Sequence, residues 1–187
     1  MAVSDALKKK KKIWVGIQAP KEFRIRDIGE SLVSLPEQLI NKVSQVNLAS
    51  LTGDPKKQNI YISLKVKEIR ENKGQTEIVE FNIAPSYLKR MNRMAKQKAE
   101  QSILLKTKDD IQMRIKAMAF SKYKANNSVL TAVRVKMKEF LVNNVTSKTY
   151  NEILNEIINF EFQKNLSREL KKIYPLSNII VKSVIRK

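Results

Sequence analysis

Residues 59–83, NIYISLKVKEIRENKGQTEIVEFNI, hold the pattern that most narrows what this chain can become. Ile60, Ile62, Leu64 and Val66 recur at every second position, with Tyr61, Ser63, Lys65 and Lys67 between them. That period belongs to a pleated strand with one buried face, because successive side chains point to opposite sides. The polar stretch ENKGQ then turns the chain, and Val79, Phe81 and Ile83 return on the inner face, so the segment reads as a β-hairpin. A second hairpin is expected from SILLKTK, an Asp109-Asp110 tip and IQMRIKAMAF. In it Ile111, Met113, Ile115 and Ala117 share one face and Gln112, Arg114 and Lys116 the other. Ile13, Val15, Ile17 and Ala19 alternate in a further strand that Pro20 ends, and Ile179–Ile185 supplies a last one.

Helical spacing appears elsewhere. SLPEQLINKV opens with Ser34 and Glu37 at capping-box distance, which predicts a short helix. Pro85 and Ser86 introduce a basic helix over SYLKRMNRMAKQ. Val129, Leu130, Val133, Met137, Phe140 and Leu141 mark one face of a longer helix. Thr149 and Glu152 form a capping box ahead of TYNEILNEIINFEF, which buries Tyr150, Ile153, Leu154, Ile157 and Ile158. Strands, then helices, then a strand predict an α+β fold: an antiparallel β-barrel-like sheet with two or three helices, mostly in the C-terminal half. No internal repeat or linker composition divides the chain. Residues 1–12 read as a flexible basic arm and 13–187 as a single α+β domain.

Charge narrows function as alternation narrows fold. Among 187 residues, 37 Lys and Arg face 18 Asp and Glu, a net +19. The excess is uneven: residues 85–138 carry +11 and residues 171–187 carry +5, whereas residues 139–170 carry −2. Such a field attracts polyanions and opposes compaction unless one is bound. The chain contains neither Cys nor His, which removes thiol nucleophiles, disulfides and the usual zinc and imidazole chemistry. No apolar run approaches the length of a membrane span, no secretory signal is expected, and no phosphate-loop or nucleophile-elbow motif occurs. No catalytic residue, metal ligand or cofactor is predicted.

The candidate RNA-binding residues follow from where the cations gather. Lys8, Lys9, Lys10, Lys11 and Lys12 form an unbroken run that fits a nucleic-acid arm, a nuclear address, a membrane-surface anchor or a merely solvated tail. Lys89, Arg90 and Arg93 cluster on the basic helix, while Arg114 and Lys116 occupy the solvent register of the second hairpin, extended by Lys122 and Lys124. Arg134 lies on the polar side of the long helix. Lys171, Lys172, Arg186 and Lys187 make a basic C-terminus expected, like the arm, to order around RNA. Arg presents a bidentate fork to phosphate and Lys a point charge. Trp14 is expected to pack against its own domain, with base stacking as the alternative. Asp109 and Asp110 are read as turn residues. Glu152 and Glu156 give the helix an acidic face that suits a basic protein neighbour, and an adaptor that docks translation factors is the rival reading. A free-standing RNA binder is a third.

IWVGIQAPKEF with DIGES, LTGD, YLKRMNRM running on to LLKTKDDIQMRIKAMAF, and KKIYPL near the end resemble the archaeal and eukaryotic small-subunit ribosomal protein family S-one-e, also called S-three-a. The similarity keeps one order from about residue 12 to about residue 185, and the sequence stops soon after KKIYPL, as archaeal-like members do. It departs from the family pattern where the usual Asp-Gly hairpin tip reads Asp109-Asp110 and where NNSVLTAVRVKM keeps only Ser128, Ala132 and Arg134. The resemblance implies a β-barrel-like centre and a structural, non-enzymatic place on the platform of the small subunit near the mRNA exit. Implied partners are ribosomal RNA and neighbouring ribosomal proteins, in a cytoplasmic, ribosome-bound setting with no membrane and no homo-oligomer.

Overall fold

The computed structural model describes residues 12–20, 22–23, 27–71 and 73–187. The arm residues Lys8 to Lys11 lie outside the described residues. The chain divides into two compact units, Met1–Val79 and Glu80–Lys187.

In the first unit, β1 (Ile13–Gln18) pairs antiparallel with β2 (Asp27–Val33) and parallel with the start of β5 (Lys73–Ile83). β3 (Val43–Asn47) pairs antiparallel with β4 (Ile60–Arg70), and β4 with β5. Val15, Ile17, Val33, Leu39 and Val66 form a core cluster here, and the predicted inner residues Ile60, Ile62, Leu64 and Val66 are all buried. A short helix, α1 (Leu48–Thr52), links β3 to β4. The Asn47 side chain accepts from Ala49 N–H at 2.9 Å at its start, and Gly53 takes the left-handed cap (φ 72°) that favours glycine at its end. Gly74 falls inside β5 rather than in the turn; a Cβ there would lie 3.2 Å from Val66 Cγ1.

Two expectations are corrected in this unit. Ser34 and Glu37 make no capping box: Pro36–Leu39 is one 3-10 turn whose N-cap is Leu35, without a side-chain cap. Asn41 N–H donates to Val66 O at 3.0 Å and Val66 N–H to Lys42 O at 2.9 Å, drawing the chain back toward β4 before a helix can propagate. Trp14 is 62% exposed, opposite Leu32 at 43%, rather than packed into its own domain.

β5 carries the chain across the unit boundary, and its burial pattern slips there. Gly74, Thr76 and Ile78 are buried in the first unit and Phe81 and Ile83 in the second, so Val79 is half-buried rather than inward. In the second unit the end of β5 pairs with β8 (Leu176–Arg186), β8 with β7 (Gln112–Ser121), and β7 with β6 (Lys98–Lys106), all antiparallel. With its parallel β1–β5 contact the sheet is mixed, and among the described residues the outer strands do not join, so the barrel-like expectation gives way to an open sheet.

Among the described residues, five α-helices occur where two or three were expected. Besides α1, they are α2 (Pro85–Met94), α3 (Asn127–Thr146), α4 (Tyr150–Ile158) and α5 (Glu161–Leu170). α3 packs along β6 and α5 along β8. Leu130, Val133, Met137 and Leu141 are buried on α3, and Phe140 meets Phe162 edge-on at 5.5 Å between centroids. α4 buries the five residues named from its sequence and keeps the Thr149–Glu152 capping box. The segment read as one helix through Phe162 breaks at Phe160 (φ 62°), and α5 begins anew. The Asp109-Asp110 tip does more than turn: Asp110 takes φ 57°, and Asp109 Oδ2 accepts from Tyr150 N–H at 3.3 Å, tying the hairpin to the start of α4. No described helix is long and apolar enough to cross a membrane.

Candidate nucleic-acid interface

The α2 helix starts because Pro85 sits in its first turn, where a missing N–H costs nothing. At 100° per residue Tyr87, Leu88 and Met91 share one side, and all three are half-buried. Lys89, Arg90 and Arg93 fall on the other side and are exposed. The Arg90 guanidinium lies 5.1 Å from the Tyr87 ring centroid, a cation–π contact that steadies it while leaving its N–H groups outward. Asn178 Nδ2 approaches Met91 Sδ at 3.4 Å, which fastens α2 to the start of β8.

On β7, Met113, Ile115 and Ala117 are fully buried, and strand alternation sends Arg114 and Lys116 to the opposite face. Arg114 stands opposite Leu104 and Ile185, and Lys116 opposite Ser102 and Ser183. The register brings three cations to this face that sequence reading passed over. Lys106 pairs across from Gln112, Lys98 from Phe120, and Lys182 bridges to Glu100 at 3.2 Å over β7. The alternation Lys98, Glu100, Ser102, Leu104, Lys106 was the available signal. Phe120, on this same face, pairs with Asn178, so α2 and the Arg114–Lys116 row lie on one side of the sheet.

The other candidates lie elsewhere. Lys122 and Lys124 do not extend the strand register, because β7 ends at Ser121. Their loop is held by Lys122 N–H donating to Pro175 O at 3.2 Å and Tyr174 Oη donating to Lys124 O at 3.1 Å, so the KKIYPL segment anchors it. Arg134 is half-buried on α3. Lys171 and Lys172 follow α5 and are exposed, with Lys172 paired to Glu169 at 2.7 Å; that bond, then the ammonium's charge, holds the Glu169 carboxyl below the usual carboxylate range. Arg186 extends over the Tyr150 ring at 5.8 Å, on the sheet face shared with Met113, and Lys187 N–H donates to Gln112 O at 2.8 Å. The basic C-terminus thus ends β8, with Lys187 bonded back to β7. Lys12 is exposed ahead of β1.

The acidic pair is engaged locally. Glu152 closes the α4 capping box; the Thr149 backbone N–H, then its hydroxyl, hold the carboxyl below its ordinary value. Glu156 is ion-paired with Lys148. Among the described residues no three His, Cys, Asp or Glu gather as a metal site.

What the arrangement can do is hold anions: α2 offers an exposed basic rim, and β7 offers a half-buried guanidinium and ammonium row on a pleated surface. The Ribosomal S3Ae family pattern matches residues 2–187. Among curated relatives, a "Small ribosomal subunit protein eS1" from Methanocaldococcus jannaschii is 28% identical over 92% of this chain and 78% of its own length. Proteins of the same name from Haloquadratum walsbyi and Methanothermobacter thermautotrophicus are 26% and 25% identical, over 91% and 97% of this chain and 81% and 92% of their own lengths. With the family pattern covering nearly every residue, the chain belongs to the Ribosomal S3Ae family.

Proposed function

We propose that this protein is a structural component of the small ribosomal subunit, without catalytic activity, that binds ribosomal RNA chiefly through its second unit. The observation that carries the reading is the family match over residues 2–187, whose relatives bear the name of a small-subunit protein. The placement of Lys89, Arg90, Arg93, Arg114 and Lys116 on one side of the second unit's sheet gives it a mechanism: cations neutralise phosphates and release condensed counterions. Lys122, Lys124, Arg134, Lys171, Lys172, Arg186, Lys187 and the Lys8–Lys12 arm are further RNA contacts in this reading. Recognition is of folded RNA shape and phosphate spacing, since aromatic residues make up only 6% of the chain.

Protein neighbours are part of the reading, with a position on the platform near the mRNA exit. The exposed pair of Trp14 and Leu32 supports a protein contact on the first unit, since a large apolar ring left in water gains from burial. Co-sedimentation tests the whole proposal: the protein should remain stoichiometric with small subunits through a high-salt gradient wash. Quantitative loss of the protein from intact subunits would refute an integral structural role.

A further inference from the structure

A groove of about 510 Å³ runs between α5 and the start of β8, within the size range of ligand-binding clefts. Lys164, Arg168 and Lys171 line one wall, Phe160 one end, and Gln163 also lines it. The three cations follow i, i+4, i+7 spacing and therefore share one side of the helix over about 10 Å. No acidic residue lines the groove, and none of the three forms an ion pair among the described residues. Across from them, Ser177 and Asn178 come from β8, and Asn178 is the residue that also meets Met91 of α2. The groove therefore adjoins the basic helix.

One feature specifies more than negative charge. Phe160 adds an aromatic ring beside the cations, the combination on which unpaired bases stack. A single strand of RNA meets both demands, with phosphate for the cations and a π-face for the ring.

We infer that the α5–β8 groove is a seat for a single-stranded segment of RNA, its phosphates along Lys164, Arg168 and Lys171 and a base against Phe160. The inference rests on the RNA-binding reading above and adds to it a site with a different RNA form. The test is lysine acylation footprinting of the full chain, read by mass spectrometry, with a single-stranded RNA of about 16 nucleotides, the upper end of ordinary single-strand site sizes. Lys164 and Lys171 should lose reactivity several-fold, while Lys56 in the first unit should not change. The exposed triple variant Lys164→Gln, Arg168→Gln, Lys171→Gln should keep the native circular dichroism spectrum and lower the slope of log affinity against log salt by about 2, at about 0.7 per contact. Native footprint and slope in that comparison, with Lys89 and Lys116 protected instead, would overturn the groove while leaving the proposed function standing. Absence of RNA binding by the native chain would sink both. Stronger protection of Lys164 and Lys171 by a polyglutamate peptide than by the RNA would assign the groove to protein and overturn the inference.

Discussion

The two units of this chain have different surfaces. Met1–Val79 carries a net +6, and five consecutive lysines of its arm supply most of that; Glu80–Lys187 carries +13. Both units leave large apolar side chains in water, among them Trp14, Leu32 and Val43 in the first and Met94, Tyr123 and Val135 in the second, but the second also exposes cations on α2 and α5 and holds half-buried ones on β7. One chain thus divides its charge: a body nearly neutral apart from the arm, and a body whose field attracts polyanions. The difference teaches that net charge points to a candidate RNA-facing half only when read by unit and by face.

The largest expected effect would break that contrast. Replacing Lys89, Arg90, Arg93, Arg114 and Lys116 by Gln should lower the slope of log affinity against log salt by about 4 on structured small-subunit RNA. Five matched replacements in the first unit, at Lys42, Lys56, Lys57, Lys65 and Lys67, should change it by less than about 1. Filter binding across a salt series reads both, and equal losses would erase the distinction between units.

Stability offers a second contrast. Phe81→Ala removes a fully buried ring of the second unit and should cost about 3–5 kcal/mol. Trp14→Ala, on an exposed ring, should stay within about 0.5 kcal/mol. Urea denaturation of the two variants decides it; a large loss from Trp14→Ala would show that the ring packs after all.

Smaller effects sharpen the second unit itself. Thr149→Ala breaks the α4 capping box and should cost about 1 kcal/mol. Glu152 adds a pH signature. Its folded carboxyl is depressed, so its contribution is complete above the ordinary glutamate range and disappears as pH falls through the lower folded value. The protection of amides in the first turn of α4, relative to their intrinsic exchange rate at each pH, should therefore fall on acidification in the native protein and less so in Thr149→Ala. Tyr174→Phe, losing the bond to Lys124 O, should cost about 0.5–1.5 kcal/mol and speed exchange in the 122–125 loop.

The sequence announced what periodicity can announce. β4, β7 and α4 were legible because their buried faces are continuous, down to Ile60, Ile115 and Ile153. β2 was not, since as the strand beyond β1 it buries only Ser31 and Val33. α5 was hidden because the helical pattern runs on from α4, and only the left-handed turn at Phe160 separates them. Its basic stripe was hidden by arithmetic: residues 139–170 sum to −2, yet Lys164 and Arg168 stand together on one side of α5, and no acid lines the groove beside them. The slip in β5 had no local signal either, because it follows a change of partners from β1 to β8.

The most direct test of the claim that the second unit neutralises ribosomal phosphate is a cryo-electron microscopy map of small subunits containing this protein. The account predicts Lys89, Arg93, Arg114 and Lys116 within hydrogen-bonding distance of RNA phosphate oxygens. A map with those side chains facing water or protein, and RNA against the first unit instead, would contradict it.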